Sequence, residues 1–325
     1  MKKKTKANIL AIGTSLTDEL TVLGHVDSGA ADPVYIVWNH KTWCPMVCKH
    51  FASPYLAKIE AERLRSLSHP NIVRCLGLVQ PGCLLMPFLA GPTLASLVDT
   101  SSKGCVPVND ALRIAVHIAS ALHYMHGEGL LHMDVKPDNI IVTPGGVPVL
   151  FDLGIARRRD EVRPNRVIGT SEYIAPEECN LQDVGPAADV FGFGVLLYEM
   201  LTGQLPYGKG TKAAPYPQTK RIPKSMREHK ASIPAAIENL VFACLERDPT
   251  SRSTLDELIL QLNRLIRSGP RMWPAGFNPS RRPRQTRTQV NSRIQPSKDD
   301  AEAEPVVLLE TGAGRYRLDR QLDTR

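Results

Sequence analysis

Over the first hundred residues, short apolar and β-branched runs alternate with turn signals, as at residues 21–26, 34–38 and 46–49. Runs bounded in this way predict strands of an antiparallel sheet. Ser53 and Pro54 then supply a cap residue and a first-turn proline, and Leu56, Ile59, Leu64 and Leu67 follow at helical spacing. One helix is therefore predicted within the sheet region. From Asn109 the period becomes that of helices: Leu112, Ala115, Val116, Ala119 and Leu122 form one stripe, which Gly127 and Gly129 end. Residues 140–143 and 147–151 read as short strands, and 189–201 is apolar nearly all round, the pattern of a helix buried at the centre of a domain. Thr254 and Glu257 form a capping box ahead of Leu255, Leu258, Ile259, Leu262 and Ile266, with Gly269 as the stop. Residues 270–325 are rich in Pro, Arg, Gln and Ser with little apolar periodicity, which predicts a mostly disordered tail. No internal repeat is visible.

The chain has 325 residues, 42% of them hydrophobic and 22% charged, which excludes a disulfide-stapled mini-protein and a fibrous chain. No window approaches the roughly 18 consecutive apolar residues of a spanning helix, so no membrane span is expected. The net charge of +7 is uneven: residues 270–298 carry seven Arg or Lys and no acid, and 299–304 carry four acids. No aromatic interleaving accompanies these arginines, so a solvated basic tail is expected rather than a nucleic-acid surface. The seven cysteines are scattered and form no C-x-x-C pair or zinc spacing, as expected of reduced thiols in a cytoplasmic protein. Lys2–Lys4 precede an apolar run too short for an export signal.

The most informative string is His132-Met133-Asp134-Val135-Lys136-Pro137-Asp138-Asn139, followed thirteen residues after Asn139 by Asp152-Leu153-Gly154. It sets two carboxylates, a lysine and an amide on loops flanking short strands. Mg²⁺ takes carboxylate and carbonyl oxygens and leaves its other positions to phosphate, while Lys136 can offset charge on a group in transfer.

On these residues the chain resembles the eukaryotic-like (Hanks-type) serine/threonine protein kinases from about residue 20 to residue 267. The resemblance implies an α+β bilobal fold: a basic N-terminal extension (1–17), a small antiparallel β lobe with one helix (18–90), a larger helical lobe (91–269) and the Arg-rich tail (270–325). It implies that Lys49 grips the α- and β-phosphates of ATP, with Glu60 as ion-pair partner or, given the short separation, Glu62 in its place. Asp134 matches the catalytic aspartate, while Asn139 and Asp152 match the Mg²⁺ ligands. Gly169-Thr170 and Ala175-Pro176-Glu177 close the activation segment, Asp189 opens the buried helix, and Arg252 is placed to pair with Glu177. Val34, Val47 and Ile141 would wall the adenine site, with Met86 behind it and Pro87 to Leu89 as hinge. Lys136 and the Gly169-Thr170 loop imply Ser/Thr acceptors in protein substrates.

Four departures bear on activity. The phosphate loop, residues 27–34, keeps only Gly29 of the three family glycines and carries Asp27 and Asp32, which predicts weaker ATP binding. Lys49 and Glu60 are unusually close in sequence. Met133 replaces the arginine that receives a loop phosphate, and residues 155–169 hold no Ser, Thr or Tyr but five arginines. Leu153 in place of phenylalanine is a volume-tolerant swap. The reading is therefore an ATP- and Mg²⁺-dependent Ser/Thr kinase not switched on by loop phosphorylation, with Thr170 bonding the catalytic loop. Its rivals are a weak or inactive pseudokinase acting as an interaction module, and a small-molecule phosphotransferase. The tail, with Thr286, Thr288, Ser292 and Ser297 among its arginines, is open to autophosphorylation or to an acidic partner.

Overall fold

The computed structural model describes residues 9–26, 32–80, 82–101, 104–162 and 164–268, together with the strands Val307–Thr311 and Gly314–Leu318. Six strands form one antiparallel sheet in the order β1-β2-β3-β4-β6-β5: β1 (Ser15–Thr17), β2 (Leu20–Val26), β3 (Val34–Asn39), β4 (Cys44–His50), β5 (Gly77–Gln80) and β6 (Cys83–Pro87). Alternation of side chains puts Val22, Tyr35, Val37, Cys48, Cys83 and Leu85 on one face, where they bury a small core of their own. The other face carries Val47, Leu84 and Met86 into the main core, which extends without a break into the helices.

Between β4 and β5 runs α1 (Pro54–Arg65), which buries Ala57, Glu60, Ala61 and Leu64 at helical spacing. Ser53 does occupy its N-cap with extended backbone, but the hydroxyl makes no capping bond, contrary to the expectation from sequence. Proline at the first helical position has no N–H to satisfy, and the turn closes instead through Ala57 N–H to the Ser53 carbonyl at 3.2 Å.

The rest is mainly helical: α2 (Leu94–Thr100), α3 (Val108–Gly127), the short pairs β7 (Leu130–Leu131) with β10 (Arg157–Arg158) and β8 (Ile140–Val142) with β9 (Pro148–Leu150), α4 (Pro176–Cys179), α5 (Pro186–Thr202), α6 (Met226–His229), α7 (Ala235–Cys244) and α8 (Leu255–Ser268). The buried helix α5 begins at Pro186, one turn before Asp189, because proline is suited to the first turn and Asp189 is turned onto a neighbouring loop. The capping box of α8 forms as predicted: Thr254 N–H donates to Glu257 at 2.9 Å and Glu257 N–H to Thr254 Oγ1 at 3.3 Å. All seven cysteines are free thiols.

Within the tail, β11 (Val307–Thr311) and β12 (Gly314–Leu318) pair antiparallel, a hairpin that the compositional reading did not anticipate. The rest of the tail, the stop at Gly269 and most of the phosphate loop, Gly29 included, lie outside the described residues. Among the described residues, no helix is long and apolar enough to cross a membrane.

Candidate active site

Two clusters of charged side chains meet where the sheet adjoins the helical part. In the first, β4 delivers Lys49 and α1 delivers Glu60. Lys49 Nζ donates to both oxygens of Glu60 at 3.0 Å and to Asp152 Oδ1 at 2.7 Å. Lys49 and Glu60 are both buried, whereas Glu62 is exposed and lies near Lys58, so the structure brings Glu60 to the lysine. Burial works against the Lys49 charge, but Glu60 and Asp152 outweigh it and raise its pKa. Burial raises Glu60, helped by the Asp152 charge and only partly offset by Lys49. Burial also pushes Asp152 up, but the Lys49 charge, its hydrogen bond and the Gly154 N–H prevail and hold that carboxyl below the usual range. Lys49 additionally lies over the Phe51 ring, 4.9 Å from its centre.

Gly154 packs close against this cluster: a Cβ there would stand 3.1 Å from Asp152 Oδ1, 3.4 Å from Glu60 Oε2 and 3.5 Å from Lys49 Nζ, so a side chain would press on the Asp152 carboxylate. Asp152 itself adopts a left-handed backbone, φ 65°, which turns its carboxylate toward the lysine.

The second cluster lies on the loop between β7 and β8. Asp134 Oδ1 accepts from the Thr170 hydroxyl at 2.9 Å, and Oδ2 accepts from Lys136 Nζ at 2.8 Å and Asn139 Nδ2 at 2.9 Å. Lys136 Nζ also donates to Thr170 Oγ1 at 2.7 Å, closing a ring of three side chains. Asn139 Nδ2 reaches the Asp134 carbonyl as well, at 2.9 Å, so Oδ1 is left as its coordinating oxygen.

Asp189 anchors this loop from below. Its carboxylate accepts the backbone N–H groups of His132 and Met133, each at 2.8 Å, and bonds His126 Nε2 at 2.7 Å. These bonds hold Met133 at φ 69°, a conformation L residues rarely take. His132 is fully buried, and burial pushes its pKa down.

The proposed adenine residues are spread over β3, β4, β6 and β8 and the segment just after β6. Val34 pairs with Lys49 across β3 and β4, and Val47 with Met86 across β4 and β6. Pro87 ends β6, Leu89 packs on the main core just beyond it, and Ile141 on β8 bridges to Thr93. Asp32, the described acid of the phosphate loop, accepts Ala52 N–H at 3.1 Å, and its charge helps to raise Glu60.

Several residues that organise the site were not singled out from sequence. Gln218 Nε2 donates to the carbonyls of Ser171 and Ile174, both at 2.8 Å, and the Tyr173 hydroxyl donates to Glu199. Both hold the segment after Thr170, and neither leaves a local signature because each joins residues far apart in the chain.

The oxygens available here are those a divalent cation shared with phosphate needs: one carboxylate held ionised by its neighbours and one amide oxygen. A buried lysine bonded to such a carboxylate is an arrangement suited to holding phosphate together with a divalent cation. Residues 20–262 match the family model of the protein kinase domain, so the chain belongs to the protein kinase family, whose members use ATP with a divalent metal. A probable serine/threonine-protein kinase of Clostridium perfringens is 33% identical over 64% of this chain and 31% of its own length. Another from Clostridium acetobutylicum is 30% identical over 76% of this chain and 40% of its own. The serine/threonine-protein kinase PkaA of Streptomyces coelicolor is 33% identical over 61% and 37% respectively. The chain spans about a third of the length of these serine/threonine-protein kinase relatives.

Proposed function

We propose that this chain transfers the γ-phosphate of ATP, with Mg²⁺, to serine and threonine hydroxyls of protein substrates, and that it does so without a phosphate on its activation segment. The observation that carries this reading is the ring of Asp134, Lys136 and Thr170, where Lys136 and Thr170, with Asn139 as a third side-chain donor, hold the Asp134 carboxylate beside the Lys49–Glu60–Asp152 cluster. In this reading residues 18–90 form the nucleotide-binding lobe and 91–269 the catalytic lobe, and the protein works in the cytoplasm.

Asp134 is the group that orients an acceptor hydroxyl and takes its proton; its own position is set before substrate arrives, so no reorganisation is needed during transfer. Asp152 and the free oxygen of Asn139 would hold the metal, which supplies charge neutralisation on the phosphates when bound. Lys49 grips the phosphates, and Glu60 keeps its amine from collapsing fully onto Asp152. Lys136 stands where it can move from Thr170 to the group in transfer. Val34, Val47, Met86, Leu89 and Ile141 enclose the base, with hinge contacts from the Pro87 carbonyl and the Leu89 amide.

The test is incubation of the full chain with labelled ATP and Mg²⁺, beside Asp152→Ala and Asp134→Asn, followed by mapping of the phosphate. Label on Ser or Thr, lost in both variants, is the expected result, and sites among Thr286, Thr288, Ser292 and Ser297 would make the tail a substrate. Nucleotide-dependent stabilisation with no product would leave a pseudokinase, and phosphate on an added alcohol or sugar would leave a small-molecule phosphotransferase. Pull-down of an acidic peptide by the basic tail tests its other role.

A further inference from the structure

The helix that carries Glu60 and the segment that follows Asp152 are joined at a second point. One guanidinium nitrogen of Arg63 donates to both carboxylate oxygens of Glu161, each at 3.0 Å. Arg63 stands three positions after Glu60, so the two share one face of α1. The Arg63 side chain is only 13% exposed while that of Glu161 is 40% exposed, so the pair is buried at its arginine end and reaches solvent at the other.

Glu161 is firmly mounted. Its Oε2 accepts the Arg158 N–H at 2.8 Å, and its own N–H donates to the Arg158 carbonyl at 3.2 Å. Arg158 lies in β10, paired with Leu130 in β7, the strand that leads into the Asp134 loop. Arg159 adds its backbone N–H to the Gly129 carbonyl and its side chain to the His126 carbonyl, both at 3.1 Å. Glu161 is thus a fixed post at the base of the Asp134 loop, and Arg63 is a tether from α1.

The chain just beyond α1 is pinned separately, through Ser68 N–H to the Tyr124 hydroxyl at 3.0 Å and His69 stacked on the Tyr124 ring. Arg63 lies between that anchor and Glu60 in the chain, so a swing of the helix about the anchor would move Arg63 and Glu60 together.

We propose that the Arg63–Glu161 ion pair is a built-in latch that keeps Glu60 on Lys49, so that the transfer-competent arrangement needs no phosphate on the loop. This rests on the phosphotransfer reading above. Residues 155–169 contain no Ser, Thr or Tyr on which a phosphate could be placed. A carboxylate offers an arginine a charged hydrogen-bond acceptor as a phosphate does, with less charge, and it is present at all times. Arg63 and Glu161 are positioning residues that act through Glu60.

The latch is tested on the full chain by measuring kcat, KM for ATP and melting temperature for Glu161→Gln, Arg63→Gln, Glu161→Asp and the charge reversal Arg63→Glu with Glu161→Arg. Amide hydrogen exchange across Pro54–Arg65 is read in parallel. Either glutamine variant is expected to lower kcat about tenfold with a smaller change in KM, to speed exchange in α1, and to shift melting by only a few degrees. The aspartate variant and the reversal are expected to recover about half of the lost rate, and phosphatase treatment of the unaltered chain to change nothing. Unchanged exchange in α1 in a folded glutamine variant overturns the latch whether or not phosphate transfer is seen. So does a rate that falls on phosphatase treatment, or a folded reversal that recovers nothing. An unaltered chain that labels no better than Asp134→Asn overturns the phosphotransfer reading instead, and the exchange result then stands on its own.

Discussion

Glu177 and Arg252 lie 75 positions apart in the chain and meet through two hydrogen bonds of 2.6 and 2.7 Å, with side chains 3% and 0% exposed. Arg252 also donates to the carbonyls of Glu246, Ala187 and Arg247 and lies over the Phe191 ring, 5.1 Å from its centre. Every donor direction of the guanidinium is used, so the pair ties α4, the start of α5 and the turn before α8 into one unit. Arg252→Met strands the Glu177 carboxylate in the core, and the expected loss is about 3–5 kcal/mol. Chemical denaturation of this variant beside Arg252→Met with Glu177→Gln checks it: the double variant should recover part of the loss, because the buried charge is gone.

Thr170 bridges Asp134 and Lys136, so its hydroxyl is needed where it stands. Thr170→Ala is expected to lower kcat by about tenfold or more with little change in melting temperature, and Thr170→Ser to restore most of it. Thr170→Glu places a carboxylate against Asp134 and should be inactive. Strong activation by that change would show that Thr170 is a regulatory site.

Much of this arrangement was legible before the structure, and the division follows sequence distance. The strands and the helix stripes rest on periods of two and 3.6, which are local, and the Thr254–Glu257 capping box closes within four residues. The Asp134 loop was legible through its resemblance to a family, and Glu177 with Arg252 through the same route. What stayed hidden are pairings with no local pattern, such as Arg63 with Glu161, 98 positions apart, and Gln218 with the carbonyl of Ile174, 44 apart. The arginines of residues 155–169 drew attention as a block, while the one acid that fixes the segment to α1 did not. The Ser53 hydroxyl shows the converse, since a good local signal was present and the backbone closed the turn without it.

Lys49 is held by two carboxylates, and its removal changes their balance. Lys49→Met leaves Asp152 and Glu60 facing each other in a buried site where Glu60 is already pushed up by burial. Without the Lys49 charge that opposes this rise, Glu60 moves further toward its neutral form, which limits the cost in stability while the proposed phosphate grip is lost. The expected outcome is loss of about a hundredfold or more in kcat/KM with the fold retained. Circular dichroism with the labelled-ATP assay checks both halves, and a variant that keeps its rate would remove Lys49 from the site.

Glu178 provides a dependence on pH that is separate from the site chemistry. Burial pushes its carboxyl up to about 8; the Ala175 N–H, donated to Oε1 at 3.3 Å, only partly opposes this, and the Asp189 and Glu177 charges add to it. In the unfolded chain the same group titrates near its ordinary value of roughly 4.3. Between those two values the folded chain keeps a proton that the unfolded chain has lost, so stability falls as pH rises through this window and levels off above about pH 8. Glu178→Gln keeps an acceptor for Ala175 and cannot ionise. Its melting temperature is therefore expected to gain on that of the unaltered chain as pH goes from about 5 to 8.5, with the difference largest at the alkaline end. Parallel melting curves across that range decide it, and two curves that stay a constant distance apart would mean that Glu178 is ionised in the fold.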